Sequence, residues 1–294
     1  MCKLTYLPCS KSNYAYTSYA TFRPSYSPTL YDTILTFHNG PTNLCVDLGC
    51  GHGLVTRALS PRFSSMIGVD PSAGMISTAQ SLTSASECPN VTYRSAKGES
   101  VDFLSDGGVD MVVAGQAAHW FDYLALWPEM KRVVRPGGTL AFWGYDVPVF
   151  PSHPAASAVL HRCAYADDPD MLGPYWPQPG SEIARNLYRD IKPPEQDWEV
   201  QRLEYEPGLK GPGTGTGEAQ GFLKKSMKTG EVKAFVRTWS AWHGWREAHQ
   251  EQRPRSEGGQ GDVVDRAFDE MGWEGEDTVV DVEWGLGLMM ARKR

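Results

Sequence analysis

Residues 46–53 read Val46-Asp47-Leu48-Gly49-Cys50-Gly51-His52-Gly53, at the end of an apolar run that begins at Asn43. An acid is followed by glycines at every second position, 49, 51 and 53. That pattern predicts a strand, a sharp turn without Cβ atoms, and a helix from about Leu54. A ligand can approach the bare backbone of such a turn, with the Asp47 carboxylate beside it. The spacing is G-x-G-x-G rather than the G-x-G-x-x-G of a dinucleotide site, and a carboxylate there would repel a pyrophosphate but attract an ammonium or sulfonium. No Lys-Ser/Thr pair follows, which argues against a phosphate-cradling P-loop. A glycine-rich surface loop is the competing reading, and the flanking strand and helix disfavour it.

Met66 to Asp70 is a second short strand ending in an acid, 17 residues after Gly53. An acid at that strand tip accepts hydrogen bonds from ribose hydroxyls in doubly wound folds. Asp70 also suits a helix N-cap, since Pro71 and Ser72 open a helical stretch at Ala73–Leu82.

Three segments in this order, Asp47–Gly53, Gly68–Ser72 and Val133-Val134-Arg135-Pro136-Gly137-Gly138-Thr139-Leu140, resemble the motifs of class I S-adenosylmethionine-dependent methyltransferases. Gln116-Ala117-Ala118-His119-Trp120-Phe121, Phe22–Tyr26 and Arg237–Trp242 resemble the trans-aconitate methyltransferase-like branch, which includes fungal small-molecule enzymes of secondary metabolism. The resemblance covers residues 14–145 well and the remainder loosely.

The chain has 294 residues, 41% hydrophobic, enough for one large α/β domain. No stretch approaches the roughly 20 apolar residues of a membrane span. The N-terminus lacks an apolar signal region, so a cytoplasmic protein is expected. Net charge is −7 without a basic patch, which gives nucleic-acid or anionic-membrane binding little support. Cysteines at 2, 9, 45, 50, 88 and 163 have no metal-site spacing and read as reduced thiols; no metal is expected.

Along the chain, tyrosines at 6, 14, 16, 19, 26 and 31 suggest an aromatic flap, followed by a helix at Pro28–Phe37. Strands are expected at 43–48, 66–70, 91–95, 109–114 and 139–144, with helices at 54–60, 73–82 and 122–134. This alternation implies a doubly wound, Rossmann-like sheet with helices on both faces and the ligand at the carboxyl ends of the strands. Beyond Tyr145, helices at 153–166 and 181–189 read as a lid, 198–205 as strand six, and 220–227 and 233–250 as helices. Residues 278–291 read as the last strand, antiparallel by family resemblance, so the sheet would have seven strands. The expected organisation is one domain over 1–294: flap and helix at 1–37, cofactor core at 38–146, lid and pocket elements at 147–197 and 208–262, final strands at 198–207 and 277–292.

By the resemblance the cofactor is S-adenosylmethionine and its product S-adenosylhomocysteine. Asp47 and the Gly49–Gly51 backbone would hold the methionine portion, Asp70 and Pro71 the ribose end, and Ser72 and Met75 would border the adenine. Arg23 could pair with the methionine carboxylate, and Tyr19 either closes that end or simply packs. Gln116 and Ala117 would face the donor's amino end. Lys97 stands where many relatives carry an acid for the adenine amino group, leaving that contact to the backbone of Ala96 and Lys97 or to Glu99.

Methyl transfer is an in-line displacement, so the protein mainly aligns the nucleophile at about 3 Å and excludes water. A carboxylate acceptor needs no base; for a hydroxyl, His119 is the candidate, unless it only shapes the pocket. Trp120 would wall the methyl site. Tyr14, Tyr26, Tyr175, Trp176, Trp239 and Trp242 are the further candidates for contact with a bulky apolar acceptor. Trp239, Trp242 and Trp245 recur at helical spacing, which suits either an aromatic wall or a core stripe. Basic candidates to meet an acidic acceptor are Arg23, Arg237 and Lys97. The expected partner is a small molecule, taken by a monomer or homodimer. A methyltransferase-fold cyclase or isomerase, a non-catalytic binding protein and a nicotinamide dehydrogenase are the alternatives.

Overall fold

The computed structural model describes residues 23–208, 215–273 and 275–294. The first elements are α1 (Pro28–His38), β1 (Leu44–Leu48), α2 (Leu54–Leu59), β2 (Ser65–Asp70), α3 (Ala73–Leu82), β3 (Val91–Ser95) and β4 (Val109–Gly115). They are followed by α4 (Tyr123–Val133), β5 (Val134–Val149), α5 (Pro154–Tyr165), α6 (Gly180–Arg185) and β6 (Trp198–Tyr205). The chain ends with β7 (Lys224–Lys228), α7 (Thr229–Val236), α8 (Ser240–Ala248), α9 (Val263–Glu270) and β8 (Val279–Lys293). Short polar side chains start several helices: Ser27, Ser72, Asp122 and Asp262 each accept a backbone N–H of the first turn.

The sheet order is β3-β2-β1-β4-β5-β8-β6, with β7 also paired to β8. β1 to β5 are parallel, and β8 runs antiparallel to β5, β6 and β7. β1 and β4 read as continuous apolar runs because helices cover both faces, and their residues are almost all buried. Strand order reverses between β1 and β4, so the loops leaving those two strands diverge around a crevice. At the opposite end, Asp110 accepts the Asn43 and Leu44 N–H groups at 2.8 and 2.9 Å and pairs with Arg135 at 2.6 Å, pinning the start of β1 to β4.

The α/β doubly wound architecture is as expected, with eight strands among the described residues rather than the seven expected. The additional strand is β7, where residues 220–227 were expected to be helical. Its exposed lysines flank buried Met227, and its pairing with Val279–Glu283 prevails over local propensity. The expected helix at 233–250 is two helices, because Trp239 is extended (φ −71°, ψ 143°). The one expected over 181–189 stops at Arg185, before Leu187 and Tyr188 enter the left-handed region at φ 51° and 62°. β5 outruns its expected 139–144 at both ends, with Pro136-Gly137-Gly138 as an irregularity within it. No described helix is long and apolar enough to cross a membrane.

Candidate active site

The glycine turn lies at the carboxyl end of β1. Gly49 and Cys50 both donate to the Val69 carbonyl, at 2.7 and 3.0 Å, which folds the turn back over β2. Gly49 (φ 68°) has no alternative residue: a Cβ there would be strained and would collide with that of Ala117. Gly51 (φ 53°) faces open space, so its left-handed backbone keeps a bare surface exposed to a ligand.

Asp47 is 1% exposed. Its Oδ2 accepts from the Thr56 hydroxyl at 2.6 Å, whereas Oδ1 is buried with no hydrogen-bond partner among the described residues. Burial raises its pKa to about 7, against the opposing Thr56 hydrogen bond, and Asp70 adds a smaller upward push. A buried carboxylate in that state favours a cationic or donor group at Oδ1, which an α-ammonium group supplies. Asp70 accepts from Ser72 N at 2.8 Å through Oδ1 and from Gly51 N at 3.0 Å through Oδ2, so it is not itself the N-cap of α3, which is Ser72, but ties that cap to the glycine turn. Burial raises its pKa too, opposed by those two hydrogen bonds. Met75 is buried behind Ser72. Ala96 N bonds the Asp70 carbonyl, and Lys97 is exposed beside it. Glu99 Oε1 accepts from Asp122 N at 2.9 Å while Oε2 is buried without a partner among the described residues, the kind of oxygen an amino group would satisfy.

Two cavities adjoin here. The first is lined by Asp47, Gly49, Cys50, Gly51, His52 and Tyr26, among others. The second is lined by His119, Trp120, Asp146, Tyr165, Trp176, Ser181, Arg185, Phe235 and Trp239, among others. Arg23, Gln116 and Tyr145 line both. Gln116, itself at φ 53°, accepts from Tyr145 N at 2.7 Å and donates to Tyr145 O at 3.0 Å, which locks the end of β4 to β5 at the junction. Arg23 donates to the Tyr145 hydroxyl at 3.0 Å and to the Thr238 carbonyl at 3.2 Å. The boundary shared by the two cavities is thus formed by groups held in place from three segments of the chain.

In the second cavity, Trp239 packs on Trp176 and Phe235 with ring centroids 5.6 and 5.7 Å apart. His119 is buried against Trp120, and its Nδ1 lies 2.8 Å from the Tyr188 hydroxyl. Burial first, and the Arg23 charge second, push its pKa down to about 3, so the imidazole is neutral at neutral pH. Asp146 bonds the Tyr165 hydroxyl, and the Arg185 guanidinium sits 4.2 Å from the centre of the Tyr165 ring. The Ser181 hydroxyl is buried without a partner among the described residues.

Several expected residues fall elsewhere. Trp242 does not line the cavity: its indole donates to Asp262 at 2.9 Å. Trp245 is core, and Tyr175 turns away to the Pro169 carbonyl. The break at Trp239 is the reason, since it takes the three tryptophans off one helical stripe. Tyr26 packs edge-on against Trp143 and borders the first cavity, not the second. Arg237 is consumed by a buried ion-pair cluster, 2.9 Å from both Asp262 and Asp265, so it does not meet an acidic ligand. Tyr14 and Tyr19 lie outside the described residues. Tyr145, Asp146, Tyr165, Ser181, Arg185 and Tyr188 were missed; each lies in a segment without a motif. Among the described residues no group of three His, Cys, Asp or Glu side chains is placed to hold a metal ion.

Residues 46–142 match the family model described as a methyltransferase domain. The Saccharomyces cerevisiae protein named "Probable S-adenosylmethionine-dependent methyltransferase CRG1" is 29% identical over 308 residues, covering 100% of both chains. Methyltransferase AacuQ of Aspergillus aculeatus is 27% identical over 169 residues, 53% of each chain. A solved methyltransferase structure from Anaeromyxobacter dehalogenans shares the fold, with a TM-score of 0.68 at 24% identity over 92% of this chain and 97% of that one.

Proposed function

From the chain's place among the class I S-adenosylmethionine-dependent methyltransferases, we propose that it methylates an oxygen, that of a carboxylate on a small, largely apolar molecule. The observation that carries this reading is the pair of adjacent cavities that share Arg23, Gln116 and Tyr145 in their walls. One is built for a cationic nucleoside donor; the other is aromatic, with two arginines, Arg23 and Arg185, against one carboxylate, Asp146. S-adenosylmethionine supplies a methyl group made electrophilic by its sulfonium.

The chain's residues do the rest. Asp47 Oδ1, buried and without a partner among the described residues, would hold an ammonium; the Gly49–Gly51 backbone admits the methionine portion; Asp70, with both oxygens on backbone N–H groups, still has lone pairs for ribose hydroxyls. Glu99 Oε2 suits an adenine amino group better than Lys97 does, because it is a buried acceptor without a partner among the described residues.

The choice of a carboxylate over a hydroxyl rests on His119. With a pKa near 3, holding a proton at pH 7 costs the imidazole about 5 kcal/mol, which disqualifies it as an efficient base. A carboxylate needs no deprotonation, and Arg23 and Arg185 provide positive charge on the cavity wall. Trp120, Trp176, Trp239 and Phe235 would cover the apolar body of the acceptor and exclude water. Residues 1–294 act as one domain on a small molecule in this reading, with no role for nucleic acid.

The test is a panel of aryl- and alkyl-substituted carboxylic acids beside the matched primary alcohols, followed by S-adenosylhomocysteine release. Turnover of acids with the alcohols inert supports the proposal. Turnover of the alcohols alone overturns it.

A further inference from the structure

We infer that Tyr188 is a positioning residue that fixes His119 with its proton on Nε2, so that the imidazole presents the second cavity with a hydrogen-bond donor. The inference deepens the acceptor reading above and rests on it for its functional meaning.

The placement of Tyr188 is unusually constrained. It and Leu187 are consecutive non-glycine residues in the left-handed region, at φ 62° and 51°. Such conformations are strained and persist where the surroundings over-determine them. The Tyr188 ring packs against Gly144 of β5, where any Cβ would collide with it. Arg202 on β6 donates to the Tyr188 carbonyl at 2.9 Å, and Tyr188 N donates to the Ile183 carbonyl at 3.1 Å. The side chain is fully buried. These constraints converge on one result: the phenol oxygen stands 2.8 Å from His119 Nδ1. His119 also packs against Trp120, with ring centroids 4.7 Å apart, and α6 packs closely on both through Gly180.

The chemistry of the pair decides which atom carries the proton. A phenol O–H is a stronger acid than a neutral imidazole N–H, and an imidazole nitrogen is a stronger base than a phenol oxygen. The bond is therefore Tyr188 O–H to Nδ1. Nδ1 is then unprotonated, and the neutral ring bears its hydrogen on Nε2, on the ring edge away from Tyr188. His119 lines the second cavity, so that N–H is what it offers there.

This tautomer discriminates between acceptors. A carboxylate accepts the N–H at one oxygen while the other attacks the methyl group and forms the C–O bond as the C–S bond breaks. A hydroxyl acceptor would have to pass its proton to Nε2, which in this tautomer has no lone pair to receive it. Tyr188 thus selects acceptors that arrive already ionised, although it touches none of them.

The test reads the tautomer directly and needs no acceptor. The full chain is labelled with 15N-histidine, and long-range proton–nitrogen correlations are recorded at pH 7. His119 is assigned by the signals that vanish in His119→Gln. The expected spectrum has a pyridine-type Nδ1 and a pyrrole-type Nε2. In Tyr188→Phe both nitrogens should shift toward the averaged values of a free imidazole. A proton on Nδ1 or on both nitrogens in the wild type overturns the inference, and so does a Tyr188→Phe spectrum unchanged from wild type. If Tyr188→Phe does not fold, the wild-type spectrum decides alone. The expected tautomer with no acid methylated would sink the acceptor reading and leave the tautomer lock standing.

Discussion

Asp47→Asn should make the protein more stable and worse at binding its cofactor. In the free protein the carboxylate is fully buried, and its pKa rises from 3.8 to about 7. The folded state therefore holds this proton more tightly than the unfolded chain. Below about pH 4 both states are protonated and the group costs nothing. As pH rises from about 4 to 7 the unfolded chain ionises first, and stability falls by about 4 kcal/mol, at 1.36 kcal/mol per pH unit. Asparagine keeps a carbonyl for the Thr56 hydroxyl and removes the charge. At about 2 °C per kcal/mol for a domain of this size, Asp47→Asn should melt roughly 5 °C or more above wild type at pH 7, with the gap closing toward pH 4. The same change deletes a charge-assisted hydrogen bond to the donor's ammonium, worth about 1.5–3 kcal/mol, so S-adenosylmethionine should bind about 10- to 150-fold more weakly. Scanning calorimetry from pH 4 to 8 and titration calorimetry with S-adenosylmethionine read the two effects separately. A variant that melts no higher than wild type at pH 7, or binds the cofactor equally well, refutes the reasoning.

Three further outcomes are expected. Gly49→Ala forces a side chain into a φ of 68° and onto Ala117, which should cost about 2–4 kcal/mol by thermal denaturation; adding Ala117→Gly should recover only the part due to the clash. Trp176→Ala should raise KM for the acceptor about tenfold or more with the cofactor Kd unchanged, whereas Trp242→Ala should lower Tm through its lost bond to Asp262 and leave KM alone. Because burial holds His119 near 3 and His52 near 4, against 6.5 when unfolded, these groups favour folding fully above about pH 6.5. Stability should fall as pH drops from there toward 3–4, and a pH–stability curve of His119→Gln should lose part of that acid limb.

The glycine turn that lines the first cavity was legible because its signals are local. The glycine turn, Asp47, Asp70 and the Ser72 cap lie within 26 consecutive residues, and backbone geometry alone dictates their types. The β/α alternation up to Tyr145 was legible for the same reason. The second cavity was not, because it is assembled across the sheet from segments more than 200 residues apart, such as Arg23 and Trp239. Tyr188 carries no sequence signal at all: its position depends on a left-handed backbone and on the missing Cβ of Gly144. The tryptophan stripe misled because helical spacing was read through Trp239, where the helix begins anew. β7 was missed because its pairing with β8 is non-local and its lysines mimic a solvated helix.

The central claim, methyl transfer to a carboxylate oxygen, is tested most directly by following the label itself. The enzyme is incubated with S-adenosylmethionine tritiated on its methyl group and a protein-free cell extract, and products are extracted into organic solvent before and after mild alkaline hydrolysis. The account predicts extractable tritium equal to the S-adenosylhomocysteine formed, released as methanol by alkali, as esters require. Tritium that stays on the donor, or that enters products stable to alkali, would contradict it.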